Sequence, residues 1–339
     1  MSASSFDVPP LLPASTPAQS RAILGAMRAV AETGGAASED DRLALESANR
    51  FVFGHAGPFD MATLAPVAPA ALAEALAGTD LARDALKFLT VMAFVDGRLD
   101  KAKIAAVLGY AAALGVAEHY LDEIRQAAED RLQEVLADMT RCNMESITGA
   151  PWAGGDINAW LLPYIGAAED PALAARFEAL GDYPADSFGR AFWNQFKKNG
   201  YAFPGQPEGL NAVFTVPHDA LHVLTGYDTT PRGEILVSTF TAAMHPKYPM
   251  AGHVLPVILS WHLKVQINKV AGDAAGALDP REFWHAWAAG AAATVDTFSP
   301  DWNFWDHAAK PLRAVREEWA IPPDGVETAR PQPDSPPAR

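Results

Sequence analysis

Cysteine is nearly absent: Cys142 is the single one in 339 residues. An intrachain disulfide is therefore excluded, as is a cage made only of thiolates, so histidine must lead any metal site. Positive charge is also scarce, with 26 Lys and Arg against 41 Asp and Glu and a net charge of −15. Nucleic-acid binding depends on clustered basic side chains that neutralise phosphates, so no nucleic-acid partner is expected. Adhesion to anionic lipid headgroups through charge is disfavoured for the same reason. No apolar run approaches the roughly 18 residues a spanning helix needs, the longest being Ala-rich pieces such as WAAGAAATV. The opening MSASSFDVPPLLPASTPAQSR lacks a basic head followed by an apolar stretch, so no secretory signal is expected and the cytoplasm is the expected compartment.

What is present is helical periodicity. Val- and Ile-rich alternating runs bounded by turn residues are hard to find, so the expected class is all-α, in two helical blocks joined by a Gly/Pro-rich linker. Residues 1–17 and 322–339, rich in Ser and Pro, read as solvated tails. The first block covers 18–147, TGAPWAGGD at 148–156 is the linker, and the second block covers 157–321. In the first block Ile104, Val107, Leu108, Ala111 and Leu114 form one stripe that Gly115 stops. A second stripe, Leu121 to Met139, predicts one further helix. In the second block MAGHVLPVILSWHLKVQINKV, 250–270, reads as an apolar helix kinked at Pro256, either a core helix or the wall of a tunnel near His253, Trp261 and His262.

The chemistry concentrates in VPHDALHVLTGYDTTPRGEILVSTFTAAM, residues 216–244. Two histidines four apart, His218 and His222, stack on one helix face and can converge on one ion. Asp219 is adjacent and can ligate or orient an imidazole. Gly226 ends this helix after about two turns; Thr229 or Thr230 then caps a second helix with Pro231 in its first turn. Glu234 lies in that first turn, where it can face back toward His222. A divalent cation, with Zn²⁺ the expected ion, would compensate the burial of His218, Asp219, His222 and Glu234; a self-contained hydrogen-bonded cluster is the alternative.

The signature His218-Asp219-x-x-His222-x11-Glu234 resembles that of the coenzyme Q biosynthesis protein 4 family of ubiquinone-pathway proteins. YPADSFGRAFWNQFKKNGY, 183–201, and DWNFWDHAAKPLRAVREEWAIPP, 301–323, extend the likeness over most of residues 170–323. The resemblance implies a helical protein holding a divalent metal at those four residues and binding a polyprenylated quinone precursor or other isoprenoid lipid. Its role would be in scaffolding or in decarboxylation and hydroxylation of one ring carbon. It further implies peripheral contact with the inner membrane and assembly as a homo-oligomer or within a biosynthetic complex. LNAVFTVP lacks the Arg- and Glu-containing run usual before the motif, and the first block is extra, which leaves room for a different substrate. FVDGRLDKAKIAAVLGYAAALGV resembles, on Asp96, Gly97 and Asp100, the core of TerB-like (tellurite-resistance) helical domains. There an acidic turn would hold a hard cation, or Asp96-Gly97 is simply a tight turn and Asp100 a helix cap. Two other functions stay open: a zinc hydrolase with Asp219 as catalytic base, by analogy with H-E-x-x-H enzymes, and a non-catalytic lipid-binding scaffold.

Overall fold

The computed structural model describes residues 8–165, 169–267 and 272–322. Most of the expected tails, 1–7 and 323–339, lies outside the described residues. Among the described residues there are fifteen α-helices and no strand beyond isolated bridges, Ser187 to Pro311 and Leu263 to Ala275, so the class is all-α.

Helix α1 (Pro17–Ala31) starts at a reciprocal cap between Thr16 and Gln19, and α2 (Glu39–Phe51) at one between Ser38 and Asp41 with acids through its first turn. Residues 8–16 correct the expectation of a tail extending to 17. Leu11 and Leu12 donate backbone hydrogen bonds to Phe51 and Val52 at 3.1 and 2.8 Å and pack on the core, since two adjacent leucines bury apolar area that solvated Ser and Pro would not. Helices α3 (Pro69–Ala75) and α4 (Leu81–Met92) precede α5 (Lys101–Leu114). The Asp100 carboxylate caps α5 by accepting from Ala102 and Lys103 N–H groups, and Gly115 ends it in the left-handed region. Asp96 accepts from the Arg98 N–H at 3.1 Å, and the buried Lys103 ammonium lies 2.8 Å from Asp96 and 3.2 Å from Asp41. Turn, cap and internal cation thus account for the acids of this segment. The single helix expected over 121–139 is two, α6 (His119–Ala128) and α7 (Leu132–Thr148). Asp130 takes a φ of +64° between them, a conformation Asp tolerates better than most residues.

After an irregular stretch at 150–156 come α8 (Ile157–Leu161), α9 (Pro171–Glu178), α10 (Phe188–Asn199), α11 (Ala212–Thr225) and α12 (Pro231–Met244). A π-helical turn, Pro249–Val254, runs into α13 (Leu255–Trp261), followed by α14 (Pro280–Ala292) and α15 (Leu312–Glu318). The helix expected over 250–270 therefore stops at Trp261, where Leu263 bridges to Ala275; residues 268–270 lie outside the described residues.

Two hydrophobic cores result, and neither respects the 148–156 linker. One joins α1–α7 to Ile235, Leu255, Trp284 and Trp287 from the second half. Helix α14 lies between α2 and α12, and Gly290 permits its approach, since a Cβ there would stand 2.2 Å from the Phe240 carbonyl oxygen. The other core is aromatic. On α10, Phe188, Phe192 and Phe196 recur every fourth residue; Phe188 meets Phe304 edge-on and Phe196 stacks on Phe203. Each fully buried ring contributes about 2–3 kcal/mol of hydrophobic stabilisation. Helix α12 lies where the two cores meet, giving Ile235 and Ala242 to the first and Leu236, Val237 and Phe240 to the second, to which α11 belongs.

Candidate metal centre and its cavity

Helix α11 is longer than the two turns expected: Asn211 caps it by accepting from the Val213 N–H at 3.0 Å, and Pro217 lies inside. Proline cannot donate to the Val213 carbonyl, so a neighbouring turn of weaker helix leads into His218. Gly226, at φ +80°, ends α11, and the Arg316 guanidinium donates to the terminal carbonyls of Leu224 and Val223 at 2.8 and 3.0 Å. The connection is tight. Asp228 Oδ1 accepts from the Thr230 N–H at 3.1 Å, and the Thr230 hydroxyl caps α12 by accepting from Gly233 N–H at 3.3 Å. A Cβ on Gly233 would stand 1.9 Å from the Asp228 carbonyl oxygen, so only glycine fits. This turn sets Glu234 in the first turn of α12, pointing back at α11.

His218, His222 and Glu234 meet. His218 Nε2 is 3.1 Å from Glu234 Oε2, His222 Nε2 is 3.5 Å from Glu234 Oε1, and the two Nε2 atoms are 3.3 Å apart. His222 Nδ1 lies 3.0 Å from the Tyr227 carbonyl oxygen, which can only accept, so Nδ1 carries the proton and Nε2 presents its lone pair to the cluster. The Phe214 ring stacks on His218 at 5.1 Å. Burial alone would raise the Glu234 carboxyl, yet the charges and hydrogen bonds of His222 and His218 hold it well below the usual carboxylate range. Burial opposes protonation of His222 too, but Glu234 raises it. Asp219 belongs to the group with both imidazoles, the donor atoms lying within 4.8 Å of one another. Its Oδ2, however, accepts the Thr215 hydroxyl, and the residue is fully buried rather than on the cavity wall.

Zinc bound tetrahedrally at about 2.0–2.1 Å by nitrogen and oxygen sets its donors about 3.3 Å apart. The two imidazole Nε2 atoms are 3.3 Å apart, one 3.1 Å from Glu234 Oε2 and the other 3.5 Å from Glu234 Oε1, so the donors match such an ion in type and lie near its spacing, with the carboxylate set across both rings. His218 and Glu234 also line a cavity of about 140 Å³, while His222 lies behind them. Glu234, Ser238 and Thr241, on one face of α12, supply part of its polar wall; His218 and His253 supply more. The Ser146 hydroxyl, 3.1 Å from the Lys247 carbonyl oxygen that it donates to, is 2.7 Å from His253 Nε2 and accepts from it. Burial first, then the neighbouring imidazoles of His245 and His218, pushes His253 down to about 3, leaving a neutral ring. Trp261 also lines the cavity; His262 does not, bonding instead to the Val95 carbonyl and the Leu278 N–H.

Sequence reasoning missed the contribution of α7. Met139, Asn143, Met144 and Ile147 of that helix form the opposite wall, and Asn143 donates to the Gly252 carbonyl at 2.7 Å, tying it to the π-helical turn. A signal existed in the apolar spacing of Met144 and Ile147 beyond Met139, which continues the stripe toward the linker. Compared with protein-family models and with curated proteins, the chain gives no match. Among the described residues no helix is long and apolar enough to cross a membrane.

Proposed function

We propose that His218, His222 and Glu234 hold a divalent cation, zinc by the character of the donors, and that the adjoining cavity receives the ring of a polyprenylated quinone precursor in the ubiquinone or a related pathway. The observation that carries the reading is the donor triangle opening on an apolar cavity. When bound, the cation supplies Lewis-acid polarisation of a ring oxygen.

The chain's own residues do the rest. Ser238 and Thr241 offer hydroxyls along the face of α12 that carries Glu234, and neutral His253 offers a further polar contact, so a substituted ring has one favoured orientation. Met144, Ile147, Pro256, Val257 and Trp261 exclude water around it. Volume limits the ligand: an apolar cavity of about 150 Å³ holds one benzene, so this one takes a ring and not a long isoprenoid tail. The tail would leave past Ile157, Leu161 and Phe214 of the lining; Val213, next to Phe214 in the chain, and Ile165, four residues beyond Leu161, are exposed, 52% and 63%. Those side chains fit contact with the face of a membrane. The Thr215 contact of Asp219 and its place off the cavity lining support a role in positioning α11 over one as a hydrolytic base.

Purified protein should carry metal that His222→Ala loses, and its lipid extract should contain prenylated ring precursors. A strain lacking the gene should accumulate a precursor before ring decarboxylation and hydroxylation, rescued by wild type and not by His222→Ala. An unchanged quinone profile with metal bound would leave the metal site and sink the pathway; rescue by His222→Ala would reduce the metal to a structural fastening.

A further inference from the structure

A second group of donors lies on the α6–α7 hairpin, remote in sequence from the first. His119 and Glu123 are four residues apart on α6, Asp138 and Cys142 four apart on α7, and each spacing places both side chains on one helix face. The four donor atoms lie within 4.8 Å of one another. His119 Nε2 contacts Asp138 Oδ2 and is 4.0 Å from Glu123 Oε1. Arg141 donates to Asp138 Oδ1 at 2.7 Å and lies 3.1 Å from Glu145, with Nη2 3.4 Å from both Cys142 Sγ and His119 Nε2.

A plain surface ion-pair cluster explains Asp138, which His119 and Arg141 both satisfy. Glu123 it does not explain. That side chain is 2% exposed, and both its carboxylate oxygens are buried with no hydrogen-bond partner. A carboxylate aimed at a histidine, a second carboxylate and a thiol, with nothing to accept from, is the arrangement a cation completes. With a dication bound, three anionic ligands and one neutral imidazole leave a single negative charge, which the adjacent Arg141 guanidinium balances.

We propose that His119, Glu123, Asp138 and Cys142 form a second metal site, of the mixed nitrogen, oxygen and sulfur type that selects zinc. Nitrogen, carboxylate oxygen and thiolate in a four-donor set suit a borderline-soft dication and not Ca²⁺ or Mg²⁺. His119, 44% exposed, is the entry side, and inward rotation of the donors by about 1 Å closes a tetrahedral shell with bonds of about 2.0–2.3 Å. The ion fastens α6 to α7, the helix that also walls the ring cavity. This site stands whether or not the His218–His222–Glu234 centre binds metal.

Cobalt separates the two, because Cys142 is the only cysteine and the first centre offers no sulfur. Full-length protein stripped with chelator and titrated with Co²⁺ alone should develop a thiolate-to-cobalt charge-transfer band. His222→Ala should keep the band. Cys142→Ser should lose it, and the exposed variant His119→Ala should raise the dissociation constant read from it at least about tenfold. Absence of the band in wild-type protein with native circular dichroism, or its survival in Cys142→Ser, overturns the proposal.

Discussion

Zinc binding at the His218–His222–Glu234 triangle predicts a thermal shift of definite size. A ligand present at a hundred times its dissociation constant stabilises the folded state by about 2.7 kcal/mol. Unfolding entropy is about 2.1 cal/mol/K per residue, which for 339 residues is about 0.7 kcal/mol/K, so Tm should rise by about 4 °C. The experiment is best done in a His119→Ala background, which weakens the hairpin site at an exposed residue, by differential scanning fluorimetry in chelator and in excess Zn²⁺. Glu234→Gln removes the carboxylate that lies within 3.5 Å of both imidazoles and should shrink the shift to under about 1 °C. His222→Ala should abolish it. Identical melting in chelator and zinc, or a full shift persisting in both variants, would refute the reasoning from the triangle's geometry.

Gly233→Ala forces a Cβ to 1.9 Å from the Asp228 carbonyl oxygen, so backbone must move; a loss of about 2–3 kcal/mol in urea unfolding and weaker zinc binding are expected. Arg316→Ala leaves the last carbonyls of α11 without their guanidinium donor and should cost about 1–3 kcal/mol by the same measurement. Lys103→Met leaves the buried Asp41 and the half-buried Asp96 carboxylates without their shared cation, at about 3–5 kcal/mol. pH acts through the metal-free pair. His222 is raised above its ordinary 6.5, so the stability it contributes is complete below 6.5 and fades as pH rises through the raised value. Glu234 is lowered below 4.5, so its contribution is complete above 4.5 and is lost as pH falls through the lowered value. The zinc-dependent shift in Tm should therefore grow from pH 6 to pH 8, as protons cease to compete for His222; a shift independent of pH would count against His222 as a ligand.

The parts of this molecule legible in the sequence are those written in local spacing. Helix class follows from the stripe Ile104, Val107 and Ala111, and the turn between α11 and α12 follows from Gly226, Thr230 and Pro231. Meeting of Glu234 with two histidines is a short-range event across eleven intervening residues. Other features depend on tertiary contact that spacing does not encode. Asp130 interrupts a continuous apolar stripe because the hairpin closes there, and the segment after Trp261 leaves the helix where Leu263, Val265 and Ile267 begin to alternate with polar residues. Leu11 and Leu12 sit among Ser and Pro that suggest a tail, yet find the end of α2. The wall that α7 gives the cavity comes from a block more than 70 residues upstream of the motif, with Asn143 reaching Gly252 as the link.

The hairpin and the motif share one design problem, which is how to keep several anionic and imidazole donors together inside a helical protein. In the motif the donors are held by features that do not depend on a cation: the Tyr227 carbonyl fixes the His222 tautomer, Gly233 fixes the approach of α12, and Arg316 closes α11. Its metal-free state is therefore coherent, with proton and ion pair standing where a cation would act. In the hairpin both Glu123 oxygens are buried without a hydrogen-bond partner, and the proposed ion would balance that burial by joining the two helices. The first arrangement suits exchange of a ligand at an open position, the second suits permanent fastening. Because α7 belongs to both, with Cys142 at the fastening and Met144 on the ring cavity, loss of the hairpin ion should loosen the cavity wall while leaving the donor triangle in place.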